Sequence, residues 1–421
     1  MTAAPDSGFK SLCVIGLGYV GLPTAAVFAN RGLDVLGVDI DAQTVALIND
    51  GKAHIVEPDL GAAVEAVVAN GKLKAATEPQ PADAFIIAVP TPFKNNRQPD
   101  LSYIESAAKS LAPALQAGNL VVVESTVPVG ATEQLAAWLA GHRPDLSVAT
   151  TDNSEPVDIH VAHSPERVLP GRVMVELTSN DRVIGGVTRS CAERTAQLYG
   201  LAVDGQCLLT TARTAELVKL SENAYRDVSI AFANELSLIC DRMGMDVWET
   251  VDLANHHPRV NILQPGPGVG GHCIAVDPWF IISSAPDDTA LIRAARQVND
   301  AKPAHIVKQV SQAAAKLDSP VIACLGLAYK ADIDDLRESP AVAIIRGLAD
   351  AGAGELSVVE PHVADLPGDL AGLDQVSLVT LDDALPRADI VVLLTDHHEF
   401  RGLDRTRLTG KQLFDTRGIW R

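Results

Sequence analysis

A single turn near the start of this chain fixes what its first domain must be. Leu12 to Ile15 is a short apolar run, Gly16, Gly18 and Gly21 follow with the spacing G-x-G-x-x-G, and Leu22 to Arg31 reads as a helix. The order strand, glycine turn, helix is that of a dinucleotide-binding unit. Gly16 permits the tight turn, Gly18 lets a pyrophosphate approach the backbone, and Gly21 brings helix and strand together. A second strand, Val35 to Val38, ends at Asp39, at the separation expected of an acid that accepts hydrogen bonds from an adenosine ribose. Ile40 to Thr44 contain no arginine or lysine for a 2′-phosphate, so the pattern favours NAD over NADP.

Strand-like and helix-like segments then alternate: Phe85 to Val89, Leu101 to Leu115, Leu120 to Glu124 and Glu133 to Leu139. This alternation predicts a parallel sheet built from βαβ units. Thr214 to Met243 reads as one long helix, and Ala290 to Leu317 as another with Pro303 as a kink or boundary. A strand restarts at Val321, and the chain then echoes its beginning. VIGLGY at Val14 to Tyr19 returns as CLGLAYK at Cys324 to Lys330, and ADAFIIAV at Ala82 to Val89 returns as ADIVVLLT at Ala388 to Thr395. The expected fold is therefore α/β, with two Rossmann-like doubly wound domains joined by a long central helical segment. The boundaries read are 1–210, 211–317 and 318–421.

The echo changes where ligand binding is decided. Gly18 corresponds to Ala328 and Gly21 to Ala331, while Lys330 and Arg337 appear nearby. The second copy has lost the glycines that admit a pyrophosphate and gained cations. That suits a different nucleotide diphosphate, although lysines and arginines on loops are usually just solvated.

Composition narrows the partners. With 34 basic against 53 acidic residues the net charge is −19, which opposes general affinity for nucleic acid or an anionic membrane. The apolar runs are strand length and too short to span a bilayer, and the first ten residues carry no apolar signal region, so a cytoplasmic location is expected. Cys13, Cys191, Cys207, Cys240, Cys273 and Cys324 form no C-x-x-C pair, so free thiols, no metal site and no disulfide framework are expected.

Two further stretches carry candidate chemistry. GPGVGGHCIAVDPWF, Gly266 to Phe280, sets Cys273 behind glycines and prolines and puts Asp277 four residues later. A thiol in such a loop can act as a nucleophile where its surroundings favour the thiolate, although a lone cysteine is usually an inert one. Lys219, Asn223 and Arg226 stand at i, i+4 and i+7 in TAELVKLSENAYRD, on one helix face. Such a face either looks at water or projects a cation and an amide donor into a cleft, and composition does not choose.

Taken together, VIGLGYVGLP, VPTPF, ESTVPVG, SPERVLPG, KLSENAYRD, HHPRVNILQPGPGVGGHCIAVDPWF and GLAYKADIDDLRESPA resemble the NAD-dependent UDP-sugar 6-dehydrogenases, of the UDP-glucose/GDP-mannose dehydrogenase family, over nearly the whole chain. Arg167 with Val168 after Glu166, and His272 before Cys273, differ from the UDP-glucose branch and point to N-acetylamino sugars. The resemblance implies UDP-N-acetyl-D-mannosamine as substrate, with UDP-N-acetylglucosamine and UDP-glucose as alternatives. A non-catalytic nucleotide-responsive regulator is the competing class.

The family implies oxidation of a C6 alcohol to an acid by two hydride transfers, with Cys273 holding the half-oxidised sugar. By the same resemblance Lys219 and Asn223 stabilise oxygen charge, while Asp277, Glu166 and Thr126 arrange or activate water. NAD contacts carried over are Gly16, Gly18, Tyr19, Val20, Gly21, Asp39, Thr91, Thr126, Thr132 and Arg337. Substrate contacts carried over are Arg167, Val168, Lys219, Asn223, Arg226, His257, Arg259, Gly270, Tyr329 and Lys330. An arginine in the position of Arg259 can reach a neighbouring subunit's site in this family, so a homodimer or larger homo-oligomer is expected. The acid product is implied to feed surface polysaccharide assembly.

Overall fold

In the apolar strands, alternate residues face two different cores. In the computed structural model, which describes residues 8–94, 97–152, 156–169, 171–271 and 273–421, Leu12 and Val14 of the first strand enter one buried cluster, and Cys13 and Ile15 enter another. The strands around it repeat this split: Ala84 and Ile86 against Phe85 and Ile87, Leu120 and Val122 against Val121 and Val123. A sheet covered on both faces needs no polar side, which is why these segments read as unbroken apolar runs.

The first sheet contains β1 Ser11–Ile15, β2 Asp34–Val38, β3 Leu73–Ala76, β4 Ala84–Ile87, β5 Asn119–Val123, β6 Ile159–His163, β7 Arg182–Gly186 and β8 Cys207–Thr211. Their order is β3-β2-β1-β4-β5-β6-β7-β8, parallel except between β6 and β7. The second sheet contains β9 Val321–Leu325, β10 Glu355–Val359, β11 Val376–Leu378, β12 Ile390–Leu393 and β13 Gln412–Asp415, in the all-parallel order β11-β10-β9-β12-β13. Both sheets therefore carry the doubly wound 3-2-1-4-5 order, and the fold is α/β with two Rossmann-like sheets. Ile322 and Cys324 of β9 face one core, and Ala323 and Leu325 the other.

The echo seen in sequence is an echo in hydrogen bonds. Gly16 donates its N–H to Val38 O at 2.8 Å, and Gly326 donates to Val359 O at 2.8 Å. Ala88 bonds Ile15 O across from β4, as Leu394 bonds Leu325 O across from β12. Gly16 and Gly326 sit at φ +90° and +100°, a region that favours glycine.

The chain forms two compact units: Met1–Ser221 with Trp279–Pro286, and Glu222–Pro278 with Asp287–Arg421. Between the two sheets in sequence run the long helix Ala212–Met243 and a 25-residue helix, Ala290–Ala314. The latter continues past Pro303, which was expected to kink or end it, so the proline is not its boundary. Buried Asn299 and Lys302, just before the proline, hold that stretch of helix by side-chain bonds to Asp227 and Ser237, so the one backbone donor lost at Pro303 does not stop it. No helix among the described residues is long and apolar enough to cross a membrane.

Candidate active site

In a doubly wound sheet, ligands gather beyond the carboxyl ends of the strands where the order reverses. In the first unit those ends carry the predicted residues: Gly16 after β1, Asp39 after β2, Thr91 beyond β4, Thr126 beyond β5 and Glu166 beyond β6. A Cβ on Gly16 would meet Ala88 O at 2.5 Å, and one on Gly21 would meet Gly16 O at 1.8 Å, so both positions exclude any side chain. At Gly18 no atom of the described residues lies within 4 Å of where a Cβ would stand. Among the described residues no side chain caps the helix Gly21–Asn30, whose N-cap is Val20. Together these features give an open glycine cradle at a helix N-terminus, which fits a dinucleotide pyrophosphate.

Asp39 shapes the same turn. Its Oδ2 accepts Leu17 N–H at 3.0 Å and its Oδ1 accepts Asp41 N–H at 3.0 Å. Thr91 is buried and donates its hydroxyl to Thr126 O at 2.7 Å, joining the loops beyond β4 and β5. Thr132 is fully buried. Its hydroxyl and its N–H both go to Glu216 Oε1, at 2.6 and 2.8 Å, while Gly130 N–H goes to Glu216 Oε2 at 2.6 Å. Glu216 thus binds the start of the helix Ala131–His142, where a carboxylate suits the unpaired N–H groups. Burial nevertheless raises its pKa against the pull of those Thr132 bonds.

Lys219 follows Glu216 by one turn of the long helix and is itself buried. Near it His163, at the end of β6, is fully buried with Nδ1 2.9 Å from Val123 O and, among the described residues, no partner at Nε2. A ring nitrogen facing a carbonyl must carry the proton, so His163 is the Nδ1–H tautomer. Burial, reinforced by the Lys219 charge, drives its pKa down to about 3.

The Ser164–Val168 loop rests on buried charge. Glu124 pairs with Arg182 at 3.0 Å and accepts from Thr24 Oγ1 at 2.8 Å and Tyr199 OH at 3.2 Å. Glu166 accepts Val168 N–H on its own carboxylate, and Arg167 donates to Asp181 O at 3.1 Å.

In the second unit the cysteine loop is clamped at several points. Asn234 Oδ1 accepts Gly266 N–H at 2.9 Å, and Arg337 O accepts Gly271 N–H at 3.0 Å. A Cβ on Gly270 would stand 2.6 Å from Tyr329 Cβ and 2.8 Å from Glu338 O, so Gly270 is the price of laying this loop against the Tyr329–Lys330 loop. Cys273 itself is exposed, and its carbonyl accepts the N–H groups of Val276 and Asp277 at 3.1 and 2.9 Å. By contrast Cys13 and Cys324 are buried in strands, which pushes their thiols up to about 12. Asn223 Nδ2 donates to the buried Asp277 Oδ2 at 2.6 Å. His272 lies outside the described residues.

The expected polar face of the long helix is graded: Lys219 is buried, Asn223 half-buried and Arg226 exposed. His257 and Arg259 are exposed, with Arg259 N–H on His257 Nδ1 at 3.3 Å. Lys330 is half-buried, and the exposed Arg337 grips Asp335 with two nitrogens, Nε at 2.9 Å and Nη2 at 2.6 Å.

Sequence reasoning missed Glu124, Arg182, Glu216, Asn234 and Glu360. Glu360 stands at the end of β10, where Asp39 stands at the end of β2. Its Oε2 accepts Leu327 and Ala328 N–H at 2.7 and 3.0 Å and lies 3.1 Å from His397 Nε2. Among the described residues, Asp332, His362 and His397 have donor atoms within 4.8 Å of one another. They do not make a cation site, because His397 Nδ1 already accepts Asp332 N–H at 3.0 Å and Nε2–H is spent on Glu360.

An open glycine cradle on one doubly wound sheet, a second such sheet without it, and an exposed loop cysteine define a dinucleotide-dependent dehydrogenase of nucleotide-linked substrates. Residues 10–203, 213–301 and 323–421 match, in turn, the NAD binding, central and UDP binding domains of the UDP-glucose/GDP-mannose dehydrogenase family. The chain belongs to that family and is an NAD-dependent UDP-sugar dehydrogenase. It is 59% identical over 420 residues to the NDP-N-acetyl-D-galactosaminuronic acid dehydrogenase of Ralstonia nicotianae, covering 100% of this chain and 98% of that one. It is 56% identical over 421 residues to the UDP-N-acetyl-D-mannosamine dehydrogenase of Yersinia pestis, covering 98% and 100%. The solved structure of the UDP-D-ManNAc dehydrogenase of Pyrococcus horikoshii superposes with a TM-score of 0.87 at 39% identity, covering 98% of this chain and 96% of that one.

Proposed function

We propose that this enzyme oxidises the C6 alcohol of UDP-N-acetyl-D-mannosamine to UDP-N-acetyl-D-mannosaminuronate through a sulfur-bound intermediate. The observation that carries the reading is Cys273: of six cysteines it is the exposed one, on a loop clamped against the Tyr329–Lys330 loop. The relatives and the solved structure that act on this sugar support the substrate. The more identical Ralstonia relative favours a second reading, an N-acetyl-D-galactosamine-type sugar, since the C4 and C2 configurations are read by pocket shape.

NAD, when bound, would supply the hydride acceptor, one molecule for the first oxidation and a fresh one for the second. Gly16, Gly18, Tyr19, Val20 and Gly21 would hold its pyrophosphate, Asp39 its adenosine ribose, and Thr91 and Thr126 the wall of its site. Thr132 and Arg337 serve this role through what they anchor, helix Ala131–His142 and Asp335.

After the first oxidation the Cys273 thiolate adds to the C6 aldehyde and forms a C–S bond. Lys219 and Asn223 hold the resulting oxygen charge, and Lys219 returns or removes its proton. The second oxidation turns this thiohemiacetal into a thioester. Water, deprotonated by Glu166 and oriented by Thr126 and Asp277, adds to C6, the C–S bond breaks, and the thiolate is restored. Retaining the sugar on sulfur lets one site oxidise twice without releasing aldehyde.

Arg167, Val168, Arg226, His257, Arg259, Gly270, Tyr329 and Lys330 are assigned to the UDP-sugar, with Arg259 reaching the site of a second copy in a homodimer. The functional segments are 1–210 for NAD, 211–317 for catalysis and assembly, and 318–421 for the UDP-sugar. The reaction is placed in the cytoplasm, supplying precursors for surface polysaccharide.

The test is reduced cofactor counted per sugar consumed, on a panel of UDP-N-acetylmannosamine, -glucosamine and -galactosamine with UDP-glucose. Two per sugar supports the proposal, and one makes the enzyme a simple alcohol dehydrogenase without covalent capture. Cys273→Ser retaining full acid formation would falsify covalent capture.

A further inference from the structure

The carboxylate assigned to water activation sits on a loop held from below by an ion pair that the reaction scheme does not use. Arg182, on β7, and Glu124, after β5, have side chains 5% and 0% exposed and approach to 3.0 Å. Thr24, from the helix after the glycine turn, and Tyr199, from the helix Arg189–Tyr199, complete the Glu124 carboxylate at 2.8 and 3.2 Å. The Arg182 guanidinium also lies 4.8 Å from the Tyr199 ring centroid.

A buried ion pair is a poor way to gain stability, since apolar residues of the same volume serve as well or better. Its position here explains it differently. Arg182 Nη1 donates to Pro165 O at 3.4 Å, and the Glu124 carbonyl accepts Glu166 N–H at 3.4 Å. The two partners therefore grip successive residues, Pro165 and Glu166, at the root of the Glu166 side chain. The charge of Glu166 is felt at both Arg182 and Glu124.

We propose that Arg182, braced by Glu124, is a positioning residue for Glu166, fixing its peptide and setting a cation beneath its carboxylate so that the hydrolytic water is correctly aimed. The proposal rests on Glu166 being the base of thioester hydrolysis. It concerns the hydrolytic step, because Glu166 is the residue of this loop assigned to the water, while its neighbours Arg167 and Val168 are assigned to holding the UDP-sugar.

The experiment uses full-length enzyme with NAD and UDP-N-acetylmannosamine, or the panel sugar turned over fastest. Rapid-quench mass spectrometry follows the Cys273 adduct while absorbance follows reduced cofactor. The variant R182M/E124Q removes both charges at once, so no buried charge is left unpaired. R182K keeps the charge but cannot reach Pro165 and Glu124 together. The expected result for the double variant is a first hydride transfer within about twofold of wild type, acid release slowed roughly tenfold, and thioester accumulating on Cys273, with R182K intermediate. Wild-type acid release in either folded variant overturns the proposal, as does an equal loss in the first hydride transfer, which would mark a general structural role. If the double variant does not fold, R182K decides alone by the same criteria. E166Q separates the two claims: if it builds up no thioester, Glu166 is not the base, whatever Arg182 does.

Discussion

Asn223 donates a side-chain N–H to Asp277 Oδ2 over 2.6 Å, tying the long helix to the residue that follows Cys273 by four. Asp277 is 3% exposed, so this donor helps to satisfy a buried carboxylate. Removing the donor in Asn223→Ala should cost about 1–3 kcal/mol of stability and at least roughly tenfold in kcat with a smaller change in KM. A thermal melt and steady-state rates check it, and wild-type values for both would show the bond to be idle.

The glycines separate by what surrounds them. Gly18→Ala would place its methyl more than 4 Å from any described atom and should fold normally while NAD affinity drops roughly tenfold, because the methyl stands where a pyrophosphate must approach. Gly270→Ala drives a methyl into Tyr329 Cβ and Glu338 O and should lose about 2 kcal/mol or more of stability. Melting curves with NAD titrations distinguish them; a stable Gly270→Ala enzyme would contradict the packing described.

His163 predicts a pH effect of definite sign. Its folded pKa of about 3 lies below the ordinary value of 6.5, so the unfolded chain takes up the proton first. The stability of the neutral, buried ring is full above about pH 6.5 and is lost as pH falls toward about 3. Between about pH 7 and pH 5 wild type should therefore lose about 2 kcal/mol more than His163→Asn, as read by urea unfolding. Equal losses would place the histidine in contact with water.

Glu216→Ala strips the acceptor from Gly130 and Thr132 N–H and from the Thr132 hydroxyl. A loss of about 2 kcal/mol is expected from the uncapped helix Ala131–His142, with a drop in kcat because Lys219 lies one turn further along. Hydrogen exchange localised to residues 130–142 would confirm the origin; protection unchanged there would refute it.

The sequence made legible what depends on neighbours in the chain. Both glycine turns, Asp39, the two echoed strand pairs and the long helix are local patterns. Pairings across distance were not: Glu216 meets Thr132 across 84 residues, and Glu124 meets Tyr199 across 75. Each of these acids, seen alone, reads as a solvated side chain. Thr132 shows the same blindness from the other side, since nothing local announces that its hydroxyl and its N–H both reach Glu216. Pro303 looked like punctuation because propensity cannot see the buried Asn299 and Lys302 bonds that hold its helix.

Two copies of one nucleotide fold in a single polypeptide invite the same coenzyme to dock twice. Here the acid in the place of Asp39, Glu360, turns its Oε2 to the chain's own amides and to His397 and its Oε1 to His362 N–H, so it keeps less acceptor capacity for an adenosine sugar than Asp39 does. Specialisation of the repeat thus comes from an acid turned inward as much as from the glycines it lacks.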